Sequence, residues 1–260
     1  MLERNIFIYW GQGWENAPWL QRQVAESWQV NNPKWNIHLL DKNNLKNYIS
    51  DVDYLYDTSK RITRVNESDV IRISLLKNHG GVWADSTLLC MQPLDGWADE
   101  AVTKTGFWMY RGYCRDIPPP FGPASWFILS KKNSYIILKW KMLCDDYWNS
   151  RNQEHDYFWL DSLFSHLYYN DEKFNSSWQE TPALYCELDG SCHTLAVHGM
   201  QNNTPFLKDY FLKEPPYALK LWWIWNSLFP DVNTKECKNS NGYFAIQMSK
   251  RCFRYKHIMF

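Results

Sequence analysis

Residues 68–95 have the sequence SDVIRISLLKNHGGVWADSTLLCMQPLD, and this stretch decides the fold. Its first part predicts a helix over 67–79, which begins at a cap formed by Asn66 and ends at two consecutive glycines. Three apolar residues follow as a short buried strand, and Asp85 stands where that strand leaves the sheet. A helix, a glycine reversal and a strand therefore place a carboxylate at the edge of a sheet.

The preceding residues alternate between strand and helix patterns. NIFIYW, residues 5–10, is β-branched and aromatic and predicts a buried first strand that runs into a glycine loop. Apolar residues at helical spacing predict a helix over 17–31, and alternation over 35–39 predicts a second strand. This order favours an α/β fold with a mostly parallel central sheet flanked by helices, whose ligands bind beyond the carboxyl ends of the strands.

The second half of the chain continues with similar elements and then loses its pattern. The predicted elements are strands at 106–110 and 125–130, helices at 134–148 and 156–169, and a Pro-rich loop at 115–123. Residues 170–216 show weak periodicity and many turn formers, so we expect loops there. The C-terminal part is therefore predicted to be helical and irregular, in a chain of 260 residues that can form a single domain.

Charge and aromatic content restrict the class of partner. The 28 basic and 28 acidic residues cancel, so bulk electrostatics give no reason to expect nucleic-acid binding. The 16 Trp, 16 Tyr and 13 Phe exceed what a minimal core needs, and their flat faces suit stacking on a base or a sugar ring. Composition leaves open whether these rings line a binding site or fill the core.

Cysteine usage and the lack of long apolar segments predict a cytoplasmic protein. The seven Cys are widely spaced and form no CxxC pair and no zinc-like pattern with His, so we expect free thiols in a reducing compartment. The N-terminus has too few apolar residues for a signal peptide, and no stretch approaches the roughly 18 that a membrane span needs.

Asp69 and Arg72 are the first residues to indicate chemistry. They are three apart on the predicted helix and share one face, so a carboxylate and a guanidinium can point together at a ligand beside Asp85. An Arg there can pair with phosphate, and a carboxylate can accept hydrogen bonds from sugar or ribose hydroxyls. The alternatives are that Asp69 only caps its helix and that Arg72 is a solvated or ion-paired surface residue.

Taken together, these residues resemble a known family. The Ser-Asp-x-x-Arg helix, the Gly-Gly pair, the apolar strand and the Asp that follows are similar to the nucleotide-sugar-binding segment of DXD glycosyltransferases. The likeness is greatest to capsular polysaccharide synthesis proteins of glycosyltransferase family 32, and more distant to the glucosyltransferase domain of large clostridial toxins. Residues 8–49, 125–148 and 157–167 also look like segments of the capsular group, so the resemblance extends over about 5–200. The remaining C-terminal residues match nothing in it.

The resemblance implies a fold and a reaction. The fold would be GT-A-like, as in nucleotide-diphospho-sugar transferases, with a nucleotide-sugar-binding core over 1–130 and acceptor-side helices and a C-terminal extension over 131–260. The reaction would move a sugar from a nucleotide diphosphate sugar, with UDP favoured over GDP, to a hydroxyl of a growing polysaccharide or other glycan. Retention of configuration, and a place in capsule or surface polysaccharide biosynthesis, are implied as well.

The resemblance also implies roles for individual residues. Trp10 and Gly11, at the end of the first strand, would border the nucleobase and ribose, although Trp10 could instead be a core ring. Asp161 would be a carboxylate near the acceptor, or else a surface residue of an amphipathic helix. The resulting set comprises the catalytic residues Asp85, Arg72 and Asp161 and the donor-binding residues Trp10, Gly11, Asp69, Arg72, Asp85 and Ser86.

Metal dependence is the open point of the resemblance. The broader family has Asp-x-Asp where this chain has Asp85, Ser86 and Thr87, and the second Asp of that pattern is the more direct ligand of Mn²⁺ or Mg²⁺. A hydroxyl is a weaker ligand for a hard cation than a carboxylate, so a metal site at Asp85 and Thr87 is left undecided. His198 is either a further metal or phosphate contact or a structural residue. Loss of the second carboxylate also leaves open a catalytically inactive glycan-binding or scaffold protein on the same fold.

Two C-terminal segments are candidates for membrane contact. KLWWIWNSLF at 220–229 is bulky and apolar, and KRCFRYKHIMF at 250–260 interleaves basic residues with aromatic ones. Such segments can lie at an anionic membrane surface, where a lipid-linked acceptor would be presented. The alternative is a helix that docks on the core, followed by a basic terminal strand or tail.

Overall fold

The fold comes from a computed structural model, which describes residues 1–111, 124–184 and 215–251. Its strands are β1 (Asn5–Tyr9), β2 (Asn36–Leu40), β3 (Gly81–Ala84), β4 (Leu88–Cys90), β5 (Phe107–Met109), β6 (Phe127–Ser130) and β7 (Ala218–Lys220). Its α-helices are α1 (Trp19–Asn31), α2 (Arg64–His79), α3 (Ala98–Ala101), α4 (Tyr135–Ser150), α5 (Trp159–Asn170), α6 (Glu172–Glu180), α7 (Trp225–Leu228), α8 (Lys235–Lys238) and α9 (Asn241–Ser249). Short 3₁₀ helices lie at Trp14–Asn16, Leu45–Asn47, Asp53–Tyr56 and Leu94–Gly96.

A five-stranded sheet forms the centre of the fold, in the order β2-β1-β3-β6-β5. β1 pairs in parallel with both β2 and β3, whereas β6 lies antiparallel between β3 and β5. Four of these five strands therefore run in the same direction, which confirms the predicted α/β fold with a mostly parallel sheet. β4 and β7 form a separate antiparallel pair that was not predicted, because strands of three residues carry too little periodicity.

Alternation along β1 divides the core into two layers. Ile6 and Ile8 point to one face of the sheet and pack with α1 and α9. Phe7 and Tyr9 point to the other face and pack with α2, α4, α5 and α6. Helices therefore cover both faces of the sheet, as expected where strands alternate with helices.

Burial shows how the chain uses its many tryptophans. Eleven of the sixteen Trp are buried, so most of them fill the two core layers. The other five are only partly buried or are exposed, and they are Trp10, Trp14, Trp126, Trp222 and Trp223.

The start of α2 corrects the predicted cap. The helix begins at Arg64, and its N-cap is Thr63. The Thr63 hydroxyl oxygen accepts from the backbone N–H of Asn66 at 3.2 Å, and the Asn66 side chain accepts in return from the backbone N–H of Thr63 at 3.1 Å. This is a capping box with Asn in place of the usual Glu or Gln, which is why Asn66 looked like the cap itself. The helix ends as predicted at Gly80, whose φ is 66°.

A second correction concerns residues 170–216, which were predicted to be loops. Helix α6 forms at the start of this range and packs Phe174 and Trp178 into the core. Its nine residues are mostly polar, so only two apolar positions marked it. Residues 185–214, which include His198, lie outside the described residues, as do the Pro-rich loop and most of the basic C-terminal segment.

The predicted free thiols are confirmed where they can be seen. Cys90, Cys144 and Cys237 are buried, and none of these three described thiols is in a disulfide; the other four Cys lie outside the described residues. Within the described ranges, none of the helices combines the length and the apolar character that crossing a bilayer requires.

Candidate functional site

A cavity of about 1090 Å³ opens where β1 and β3 end. All the residues predicted for the site line it, namely Trp10, Gly11, Asp69, Arg72, Asp85, Ser86, Thr87 and Asp161. Four of the five Trp that are not buried also line it, with Trp14 as the exception. The structure therefore brings the predicted residues and the surplus aromatic rings to one place, while the roles of these residues stay predictions.

Asp85 receives hydrogen bonds or ion pairs from three side chains. Its Oδ1 accepts from the indole N–H of Trp83 at 2.8 Å and lies 3.4 Å from Nη2 of Arg72. Its Oδ2 accepts from Nζ of Lys220 at 2.6 Å. Burial alone would raise the pKa of this carboxyl, but Lys220 and Arg72 outweigh burial, and the pKa lies below its ordinary value. Asp85 is therefore ionised at neutral pH.

Arg72 forms ion pairs with two carboxylates, those of Asp69 on α2 and of Asp85 at the end of β3. It is 6% exposed, its Nη2 lies 3.0 Å from Oδ1 of Asp69, and its Nη1 donates to the Ser125 hydroxyl at 2.6 Å. This contact confirms the predicted shared face of Asp69 and Arg72. Asp69 does not cap the helix, whose N-cap is Thr63, and Arg72 is buried, so it is not a solvated surface residue. Burial raises the pKa of Asp69 to about 6, although the charge of Arg72 acts in the opposite direction.

Lys220 belongs to this cluster and was missed by sequence reasoning. It is the last residue of β7 and pairs opposite Leu88 of β4, which begins directly after Thr87. The backbone N–H of Leu88 donates to the Asp85 carbonyl, and that of Leu221 donates to the Thr87 carbonyl, each at 2.8 Å. Lys220 Nζ also donates to Oγ1 of Thr87 at 2.8 Å. The contact depends on the pairing of two short strands, so no local pattern could have identified it.

The predicted metal position can be tested against this geometry. A hard divalent cation takes about six oxygen ligands, and both predicted ligand oxygens, on Asp85 and Thr87, already accept from the Lys220 ammonium. Over the part of the chain that the structure describes, no group of three or more His, Cys, Asp or Glu side chains could hold a metal ion. The donor set therefore does not fit a divalent cation while Lys220 stays in place.

The end of β1 forms another wall of the cavity. The backbone N–H of Trp10 donates to the Leu40 carbonyl at 2.9 Å, while its buried indole N–H has no partner among the described residues. Gly11 lies against Tyr9, where an added Cβ would come within 2.8 Å of the phenol oxygen. Tyr9 in turn donates to Glu67 at 3.2 Å. An unpaired indole donor and a glycine that leaves room for the Tyr9 phenol therefore lie on the same cavity as Asp85.

Asp161 lies in the first turn of α5, near an aromatic rim that was not predicted. Tyr157, Phe158 and Trp223 line the cavity although they are 69%, 48% and 60% exposed. Burial, together with the negative charge of Asp69, raises the pKa of Asp161 to about 7. A carboxyl that titrates near neutral pH can accept a hydrogen bond or a proton from a ligand hydroxyl.

Fold and site together define an α/β protein whose cleft lies at the carboxyl ends of parallel strands, where proteins of this class bind their ligands. The family model described as "Capsular polysaccharide synthesis protein" matches residues 1–214. The chain belongs to this family, as the resemblance implied. Lys220 and the rim residue Trp223 lie beyond the matched residues.

Curated relatives of similar sequence carry glycosyltransferase names. Glycosyltransferase afumC from Aspergillus fumigatus is 32% identical, in an alignment that covers 35% of this chain and 26% of the relative. O-glycosyltransferase braB from Annulohypoxylon truncatum is 27% identical, over 32% of this chain and 23% of the relative. The chain thus spans about a quarter of the length of these two relatives. The solved structure of PaToxG Glycosyltransferase matches with 16% identity and a TM-score of 0.43, over 83% of this chain and 85% of that one.

Proposed function

We propose that the protein is a glycosyltransferase, which moves a sugar from a nucleotide diphosphate sugar to a hydroxyl of a growing polysaccharide or other glycan. UDP is favoured over GDP as the nucleotide. The observation that carries the proposal is the cluster of Asp69, Arg72 and Asp85 in the cavity wall, which offers carboxylates for hydroxyls and a buried positive charge for a diphosphate. Membership of the capsular polysaccharide synthesis family and the names of the relatives support it.

In this proposal the donor lies between Trp10 and Asp85. The Trp10 ring borders the nucleobase, and its unpaired indole N–H can donate to an oxygen of the base or ribose. The carboxylates of Asp69 and Asp85, held by Arg72, accept hydrogen bonds from hydroxyls of ribose and of the donor sugar. Gly11 borders the ribose, and its lack of a side chain leaves the Tyr9 phenol in place at the cavity wall.

Transfer breaks one bond and forms another at C1 of the donor sugar. The bond from C1 to the diphosphate oxygen breaks, and its electron pair leaves with the nucleoside diphosphate. The acceptor oxygen bonds to C1, and its proton passes to Asp161, whose pKa of about 7 suits a base near neutral pH. Retention of configuration, which the resemblance implies, requires the acceptor oxygen to bond to C1 on the face from which the diphosphate leaves, and NMR spectroscopy of the product would determine it.

The aromatic rim provides the acceptor side of the cleft. Tyr157, Phe158 and Trp223 present exposed ring faces to the cavity, and such faces stack on the apolar side of sugar rings. A sugar stacked there would also exclude water that would otherwise hydrolyse the donor.

We further propose the cellular setting and the division of the chain. The reaction takes place in the cytoplasm, during capsule or surface polysaccharide biosynthesis. Residues 1–260 form one domain, with the donor side within 1–130 and the acceptor side within 131–260. We do not expect residues 1–130 to bind the donor by themselves, because Lys220 completes the Asp85 cluster.

A lipid-linked acceptor would bring the protein to the membrane surface. Within segment 220–229, however, Lys220 lines the cavity and Trp225 is buried. Peripheral membrane contact would therefore use exposed residues such as Trp223, together with the basic C-terminal residues.

Calorimetry and a turnover assay test the proposed function. We expect the wild-type protein to bind UDP in the micromolar range and more tightly than GDP. We expect Asp161→Asn to keep the UDP affinity within about threefold and to lower the release of UDP from UDP-glucose, UDP-galactose or UDP-N-acetylglucosamine by about 10²-fold or more. Asp146→Asn is the matched control, since Asp146 is an exposed residue of α4 outside the cavity.

Two outcomes would contradict the proposed glycosyltransferase function. If neither UDP nor GDP binds, the glycosyltransferase proposal is wrong. If UDP and oligosaccharides bind but no UDP-sugar is turned over, the inactive glycan-binding or scaffold alternative is favoured.

A further inference from the structure

Lys220 occupies the place where the resemblance put a metal ion. Its Nζ lies 2.6 Å from Oδ2 of Asp85 and 2.8 Å from Oγ1 of Thr87. Asp85 and Thr87 stand where the family pattern Asp-x-Asp has its first and second Asp. A single positive charge, covalently attached to the chain, therefore bridges the residues that would otherwise share a cation.

The ammonium has one donor left for a ligand. A protonated lysine carries three N–H bonds, and the described contacts of Lys220 use two of them, one to Asp85 and one to Thr87. Lys220 also lines the cavity, and its side chain is 17% exposed. The third N–H can therefore serve an acceptor that enters the cavity.

A neighbouring contact fixes the position of this charge. Lys220 ends β7, which pairs with β4, and the backbone N–H of Leu221 donates to the Thr87 carbonyl at 2.8 Å. The lysine backbone is thus held by the same turn that carries Asp85 and Thr87. A charge held in this way needs little reorganisation when negative charge develops beside it.

A divalent ion would have to displace this ammonium. Asp85 already has two cations against it, since Arg72 lies 3.4 Å from its Oδ1. A third cation at the same carboxylate would be repelled by both, at an interior position where charges are weakly screened. The repulsion disfavours a metal ion between Asp85 and Thr87.

We propose that Lys220 is a catalytic residue that takes the part of the metal ion, so that donor binding and transfer need no divalent cation. Its ammonium contacts the diphosphate of the donor. When the bond from C1 to the diphosphate oxygen breaks and the electron pair stays on that oxygen, Lys220 stabilises the added negative charge. This inference rests on the proposed glycosyltransferase function. Because Lys220 lies beyond residues 1–214, it is a feature that the family match does not contain.

Calorimetric titration with UDP tests the inference, first on the wild-type protein in EDTA and then in Mn²⁺. We expect the two dissociation constants to agree within about threefold. We expect Lys220→Met to weaken UDP binding at least tenfold in EDTA, about 1.4 kcal/mol, and Lys220→Arg to retain most of the affinity because it keeps the charge. Uridine has no phosphate, so its dissociation constants for Lys220→Met and for the wild type should agree within about threefold.

Lys250→Met is the matched control. Lys250 also forms a 2.6 Å ion pair, with Glu26 on α1, but it does not line the cavity. We expect this variant to bind UDP as the wild type does. Thermal unfolding of each variant checks that the chain is folded, and the wild-type comparison of EDTA with Mn²⁺ requires no variant at all.

The possible outcomes separate the inference from the function on which it rests. UDP binding that appears only with Mn²⁺, or that is equally tight in folded Lys220→Met, would overturn the role of Lys220 and leave the glycosyltransferase proposal intact. A wild-type protein that binds neither UDP nor GDP in either buffer would overturn both.

Discussion

The two sides of the Asp85 cluster are built in different ways. On one side, Asp69 and Arg72 are three residues apart on α2, so helix geometry alone aligns them. On the other side, Lys220 reaches Asp85 across 135 residues of sequence, because β7 pairs with β4. The first side lies within the residues that match the family and the second lies beyond them. The Asp85 cluster therefore depends on helix geometry on one side and on strand pairing on the other.

Asp85→Ala should have the largest effect, because it removes the carboxylate that both sides share. Arg72 and Lys220 would lose their common partner in a mostly buried site, and breaking such a pair costs about 3 kcal/mol. Chemical denaturation at pH 7 should show this loss in the free energy of unfolding, and calorimetry should show UDP affinity at least tenfold lower, about 1.4 kcal/mol. Asp146→Ala on the exposed face of α4 is the control. An unchanged free energy of unfolding would mean that the two sides are not joined through Asp85.

Asp161→Asn should change stability in a pH-dependent way. The pKa of Asp161 is raised from 3.8 to about 7 in the folded protein, so between these values the folded state binds more protons than the unfolded state. The contribution of Asp161 to the free energy of unfolding therefore falls as the pH rises from about 4 to about 7. Asparagine does not ionise, so the variant does not lose this stability at high pH. Its Tm should exceed the wild-type Tm by about 3 °C at pH 8 and by less at pH 5.

Differential scanning calorimetry at the two pH values measures this difference, with Asp146→Asn as the control. A Tm difference that is the same at both values would show that Asp161 titrates normally and is not poised as a base. Together with the expected loss of turnover, a stabilised variant would mark Asp161 as a residue kept for function at a cost in stability.

A double-mutant cycle should reveal a smaller effect, the coupling between the local and the long-range side. Arg72→Met and Lys220→Met act on the same carboxylate, so the double variant should differ from the sum of the single variants by about 0.5 kcal/mol or more in the free energy of unfolding. The cycle of Arg72→Met with Lys250→Met should be additive, because Lys250 pairs with Glu26 instead. Additivity in both cycles would mean that Asp85 does not couple its two cations.

Trp223→Ala should have the smallest effect on stability. Its side chain is 60% exposed, so the free energy of unfolding should stay within about 0.5 kcal/mol of the wild-type value. If the aromatic rim binds the acceptor, KM for an oligosaccharide acceptor should rise by about threefold or more while UDP affinity stays the same. An unchanged acceptor KM would remove Trp223 from the acceptor side, and Leu228→Ala, at another exposed apolar residue of the same segment, is the control.

Prediction from sequence succeeded where the determining contacts are local. α2, the glycine reversal and Asp85 follow from periodicity and spacing within residues 68–95, and the structure places them as expected. The cap of α2 was misplaced because Thr63 and Asn66 form a capping box of unusual composition. α6 was missed because only two of its residues are apolar and buried. These errors arose where the side-chain pattern was weak.

The aromatic residues show the limit of composition. Sixteen Trp were counted from the sequence, but a count does not distinguish the eleven that are buried from the four that line the cavity. Trp223 is exposed and Trp225 is buried although they are two residues apart. Their difference comes from the surface against which each residue packs, which only the folded chain provides.

The sequence by itself determined the α/β order, the helix face shared by Asp69 and Arg72, and the delivery of Asp85 to the end of a strand, because each depends on residues that are close along the chain. Only the tertiary structure decided which cation faces Asp85. The pairing of β4 with β7 brings Lys220 to Asp85 and Thr87, and this pairing gains its stability from burial and backbone hydrogen bonds between distant segments, which no local pattern encodes.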